Sequence, residues 1–76
     1  MEIKEFISNF AEQFEDTEFN EFKAETRFRD LDEWSSLIAL SVLSMVDDEY
    51  DVQLNANEMR QANTIQELFD IVSSKK

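Results

Sequence analysis

The chain contains no cysteine, histidine, glycine or proline. Without cysteine there is no disulfide, and composition leaves the redox compartment open. Without cysteine and histidine together, zinc fingers, Cys-His pairs and Ser-His-Asp triads are excluded. The Gly-centred Asp/Asn spacing of a calcium loop is also missing. With neither glycine nor proline, turns fall to residues such as Asp51, Asn55, Asn57 and Asn63. This favours helices joined by irregular connections over tight sheet hairpins. Basic residues are scarce, with 7 against 18 acids and a net charge of -11. Such a surface repels nucleic acid and anionic lipid and favours basic protein faces, although excess acid also simply keeps a small protein soluble. No apolar run approaches the roughly 20 residues of a membrane span. The acidic, interrupted start MEIKEFISNF does not read as a signal peptide. A soluble, cytoplasmic protein with no nucleic-acid or membrane partner is expected. Its 76 residues allow one domain, 1–76, with one modest core.

What is present is helical periodicity. Ile3, Phe6, Ile7, Phe10 and Phe14 recur at three- and four-residue spacing among polar residues, predicting an amphipathic helix over about 2–15. Residues 16–34 carry Phe19, Phe22, Phe28, Leu31 and Trp34 less regularly. They read as a long loop with one helical turn, pinned to the core by its aromatics; a middle helix over about 18–26 is the competing assignment. A connection of that length is more often functional than not. Ser35 or Asp32 can cap the next helix, 35–50. A 100° rotation per residue puts Ala39, Val42, Leu43, Val46 and Tyr50 on its core face, with Ile38 and Met45 at one flank, where they can widen the buried stripe. Ser36, Leu37, Leu40, Ser41, Ser44, Asp47 and Asp48 fall outward, which leaves two leucines on an otherwise polar face. Val52 and Leu54 alternate as a short extended link. A short helix over 56–62 turns Met59 inward, and Asn63 or Thr64 caps a last helix over 64–74 with capping-box spacing to Gln66 or Glu67. Lys75 and Lys76 close it at the end favoured by the dipole. The expected fold is all-α: a small bundle of three main helices plus one short helix.

Ser35 and Ser36 stand at the head of the long apolar run. As nucleophiles they lack activation, because no histidine exists to act as base, and no spacing places Lys23 or Glu33 in that role. An externally added phosphate is another matter. Free N–H groups and the dipole at a helix start favour an anion, and Ser36 lies on the outward arc with Leu37 and Leu40. The bland alternative is that both serines are capping residues. Physics alone does not identify a modifying group.

The segment resembles the acyl carrier protein family, whose hallmark is Asp-Ser-Leu at the head of the second helix, with 4'-phosphopantetheine on the serine. Trp34-Ser35-Ser36-Leu37 aligns with that motif and puts Ser36 at the attachment position. MVDDEYDVQL matches the family's acidic helix end, aromatic and short Val/Ile-x-Leu/Ile link. Asn63-Thr64-Ile65-Gln66-Glu67-Leu68 matches the start of the last helix, without a gap from Ser36 onward. The resemblance covers residues 28–72; the first helix agrees in pattern only. The Leu31-Asp32-x-Trp34 lead-in is similar to stand-alone carriers of specialised pathways. The chain departs from the family at Ser35, where the usual residue is aspartate, and at Ser41, where many carriers have glutamate.

The resemblance implies a tether, not an enzyme. A phosphopantetheinyl transferase would attach the arm from coenzyme A to Ser36. The arm's thiol would hold acyl or aminoacyl groups for delivery to loading and condensing enzymes of fatty-acid, polyketide or related specialised biosynthesis. Leu37 and Leu40 would press into an apolar dent on each partner, and Asp47, Asp48, Asp30 and Asp32 would pair with basic residues around it. Such exposed pairs are individually weak and suit brief contacts. A monomer is expected. The core lined by Phe6, Phe10, Phe14, Ala39, Leu43, Val46, Leu68 and Phe69 would part to admit a chain or, filled by seven phenylalanines, leave little room. The rival reading is a non-modified acidic helical interaction module docking through Leu37 and Leu40.

Overall fold

The computed structural model describes residues 2–76. Helix α1 spans Ile3–Ala11, α2 Ser36–Tyr50, α3 Ala56–Gln61 and α4 Ile65–Lys75, and the described residues contain no strand. The architecture is all-α, with three main helices and a short fourth.

The first helix is shorter than its periodicity predicts. After Ala11 the chain tightens, with Gln13 and Phe14 donating to the carbonyls of Phe10 and Ala11. Those i→i+3 bonds are a common way to finish a helix. Phe14 still reaches the core, which is why it extends the apolar pattern beyond the helix itself. Phe6 and Phe10 are fully buried in α1, and Phe6 meets Tyr50 of α2 and Phe69 of α4 at ring separations of 5.7 and 5.4 Å.

The long connection carries two single 3-10 turns, Phe19–Glu21 and Phe28–Asp30, and no middle helix. Three of its aromatics hold it to α1. The ring centres of Phe22, Phe28 and Trp34 lie 6.1, 5.6 and 6.4 Å from that of Phe10. Phe19 corrects the expectation: it is 62% exposed and pins nothing. Polar clamps complete the fixation. The Glu33 carboxylate accepts from the N–H groups of Glu15, Asp16 and Thr17 and from the Thr17 hydroxyl, at 2.7 to 3.0 Å. The carbonyls of Thr26 and Ala24 accept from Ile65 and Gln66, satisfying donors that the first turn of α4 cannot satisfy itself. Arg29 reaches across to the carbonyls of Met59 and Arg60 and to Asn63 Oδ1, at the end of α3.

The buried side of α2 also differs from expectation. Val42, Met45, Val46 and Tyr50 are buried, whereas Ala39 and Leu43 are only half-buried. At 100° per residue the buried arc is turned roughly 40° toward Met45 from the expected one. The edge that carries Ala39 and Leu43 faces an open cleft rather than the closed core. Phe69 is likewise only partly buried.

Asp51 ends α2 in the left-handed region, φ 55°, with its N–H on the Asp47 carbonyl. This is the place where glycine usually stands; Asp is among the few other residues that enter it readily. Asn55 and Glu58 form a full capping box on α3, and Thr64 and Glu67 form another on α4. Glu58 also pairs with Lys75 at 2.8 Å, tying α3 to the end of α4.

Candidate functional site

The head of α2 divides its two serines between two tasks. Ser35 is in extended backbone, φ -154°, and its Oγ accepts the N–H of Ile38 at 3.2 Å. It is therefore the N-cap, and Asp32 is not. Ser36 is the first residue inside the helix and is exposed. At 100° per residue Ser36 lies roughly 100° from the centre of the buried arc formed by Val42, Met45, Val46 and Tyr50.

Ser36 borders an open cleft of about 590 Å³ between the head of α2 and α3. Trp34, Ala39, Leu40, Leu43 and Met59 give it apolar walls, and Arg29 and Arg60 supply the charged groups. Leu37 and Leu40 are 73% and 63% exposed, so a pair of leucines stands beside Ser36 with little cover. Asp30 lies in the second 3-10 turn and Asp32 just after it, both exposed. Asp32 borders a separate polar hollow with Asp16, Thr17, Glu21 and Glu33. Asp47 and Asp48 are exposed near the far end of α2. Asp47 shares the azimuth of Ser36 to within about 20°, but lies about 16 Å further along the axis. Ser36, Leu37 and Leu40 thus lie together in the first turns of α2, and none of the four aspartates lines the cleft beside them.

Neither conceivable base lines the cleft. Glu33 spends its carboxylate on residues 15–17. The Glu15 N–H is the strongest of the donors that, against a smaller opposing effect of burial, hold its pKa below the usual carboxylate range. Lys23 belongs to a turn in which its N–H donates to Thr26 Oγ1. No group of Asp, Glu, Cys or His among the described residues is arranged to hold a metal ion. What the arrangement offers is an accessible hydroxyl, at the positive end of a fifteen-residue helix, beside apolar surface and two cations.

The Glu33 clamp and the arginines of the cleft were not apparent in the sequence. Glu33 lies outside any helix, and no spacing rule links it to residues 15–17. Arg60 sits in an ordinary polar helix, and only the tertiary arrangement puts it in the lining of the cleft that Ser36 borders. The Asn55-x-x-Glu58 capping box did have a readable signal, the same spacing as at Thr64 and Glu67.

The chain matches no protein-family model, no curated protein and no solved structure. No helix among the described residues is long and apolar enough to cross a membrane.

Proposed function

We propose that the protein is an acyl carrier protein, with Ser36 as the residue that bears 4'-phosphopantetheine. The observation that carries this reading is the division of labour at the head of α2, where Ser35 takes the cap and leaves the Ser36 hydroxyl exposed. The surroundings fit the group. A helix start tolerates the phosphodiester, and the cleft beside Ser36 presents apolar surface and cations toward a chain with one anionic end.

On this reading the protein is not an enzyme but a substrate of others. In the loading reaction the Ser36 oxygen replaces the adenosine bisphosphate portion of coenzyme A on phosphorus, and its proton passes to a base of the phosphopantetheinyl transferase. When bound, the group supplies a thiol on a flexible arm, able to hold acyl or aminoacyl cargo as a thioester. Leu37 and Leu40 form the apolar centre of the docking face, and desolvating them against a partner contributes most of the attraction. Asp30, Asp32, Asp47 and Asp48 steer basic enzyme patches toward it, raising encounter rate more than affinity. The cytoplasm and a monomeric state belong to the same proposal, as do loading and condensing enzymes of fatty-acid, polyketide or related pathways.

Incubation with coenzyme A and a broad-range transferase tests the reading. One phosphopantetheine per chain is expected. The rival, an acidic module that docks through Leu37 and Leu40 without an arm, predicts none.

A further inference from the structure

The cleft beside Ser36 has a charge pattern opposite to that of the chain as a whole. Its lining contains Arg29 and Arg60 and no aspartate or glutamate, in a chain with 18 acids and 7 bases. The two arginines are not equivalent. Arg29 is spent on structure, donating to two carbonyls and to Asn63, with its guanidinium 5.5 Å from the Phe28 ring centre. Arg60 is exposed in the last turn of α3. The one ion pair among the described residues joins Lys75 to Glu58, so Arg60 belongs to none. A base in a last turn is favoured by the helix dipole. That accounts for a cation near position 60, but not for a cleft wall with cations alone in so acidic a protein.

We infer that Arg60 is the counter-ion of the phosphodiester on Ser36, so that the near end of the arm lies over Ala39, Leu43 and Met59 instead of extending into solvent. The inference rests on the reading of Ser36 as the attachment site. Arginine suits the task, since its planar fork donates two N–H groups to two phosphate oxygens. Because Arg60 is exposed, the pair has the strength of a surface interaction. That corresponds to a change of about two- to five-fold in the ratio of docked to free arm. Such a bias retains the arm between encounters and releases it readily to a partner.

The test uses holo-protein made with coenzyme A and a transferase and checked by intact mass, with the thiol unloaded. Nuclear Overhauser cross-peaks are measured between the geminal methyls of the pantetheine and the methyls of Leu43 and Met59. In the native chain they are expected to be present and to weaken in high salt. In Arg60→Gln they fall, by at most about five-fold, and in Arg60→Lys, which keeps the charge, they are intermediate. The amide spectrum of each variant, unchanged away from the cleft, verifies the fold. Equal intensities in the native chain and Arg60→Gln, or no cross-peaks in either, overturn the inference and leave Ser36 as the attachment site. An effect of Arg60→Gln that appears only after loading with a dicarboxylic acyl group assigns the cation to a cargo carboxylate, and overturns the phosphodiester pairing. A mass that stays unmodified overturns both this inference and the carrier reading.

Discussion

Ser35 Oγ accepts the backbone N–H of Ile38 at 3.2 Å, and this single bond separates the roles of two adjacent serines. One hydroxyl is committed to the helix, and its neighbour is exposed to solvent. Had the helix begun one residue later, Ser36 would be the cap and its oxygen would be engaged by the backbone.

The division has a direct consequence for stability. Ser35→Ala removes the cap and is expected to cost about 1 kcal/mol, within the range of 0.5 to 2 seen for such caps. Ser36→Ala removes only an exposed hydroxyl and should stay within about 0.5 kcal/mol of the parent. Urea unfolding of both variants measures the difference. Equal losses, or the larger loss at Ser36, would place the cap at the wrong serine.

The core predicts a gradient of truncation costs. Phe10 is fully buried among Phe14, Phe22, Phe28 and Trp34, so Phe10→Ala should cost about 3 to 5 kcal/mol. Leu43 is half-buried on the wall of the cleft. Its truncation exposes little new cavity and should cost about 1 to 2 kcal/mol. Chemical denaturation of the two variants checks the order, and a larger loss at Leu43 would mean that the cleft is closed in solution.

The Glu33 clamp predicts a response to acid. The carboxylates of Glu33, Glu58 and Glu67 are all held below their ordinary pKa, chiefly by hydrogen bonds: the Glu15 N–H for Glu33, the Lys75 ammonium for Glu58 and the Asn63 N–H for Glu67. A depressed folded-state pKa means stabilisation that is fully present above the unfolded value, about 4.3 for glutamate. It is lost as pH falls through the lower folded value. General protonation acts the other way, since it relieves self-repulsion in a chain of net charge -11. The comparison of native protein with Glu33→Gln isolates the clamp. Fluorescence of Trp34, the sole tryptophan, should report an acid transition below about pH 4.3 that is weaker in the variant. Coincident titrations would contradict a role for Glu33 in fixing the loop.

Much of the fold was legible from residue spacing. Ile3, Phe6, Ile7 and Phe10 announce α1, and Thr64 with Glu67 announces the start of α4, because both patterns depend on neighbours within one helical turn. The exposure of Leu37 and Leu40 followed from the same local geometry. What periodicity could not supply depends on contacts between distant segments. Phe19 looked like its neighbours Phe22 and Phe28, yet only those two meet α1. Leu43, expected on the core face, is only half-buried on the wall of the cleft, while Met45, expected at the flank of the buried stripe, is buried. Arg29 and Arg60 acquire their surroundings only when residues 28–30 and α3 come together beside Ser36.

The carrier reading is tested most directly by locating the modification within the chain. Native protein, Ser35→Ala and Ser36→Ala are incubated with coenzyme A and a panel of broad-range transferases, and fragment masses are read across residues 34–37. The expected result is one phosphopantetheine on Ser36 in the native chain, its retention in Ser35→Ala and its loss in Ser36→Ala. An unmodified native chain with every transferase, or an arm that persists in Ser36→Ala, would contradict the account.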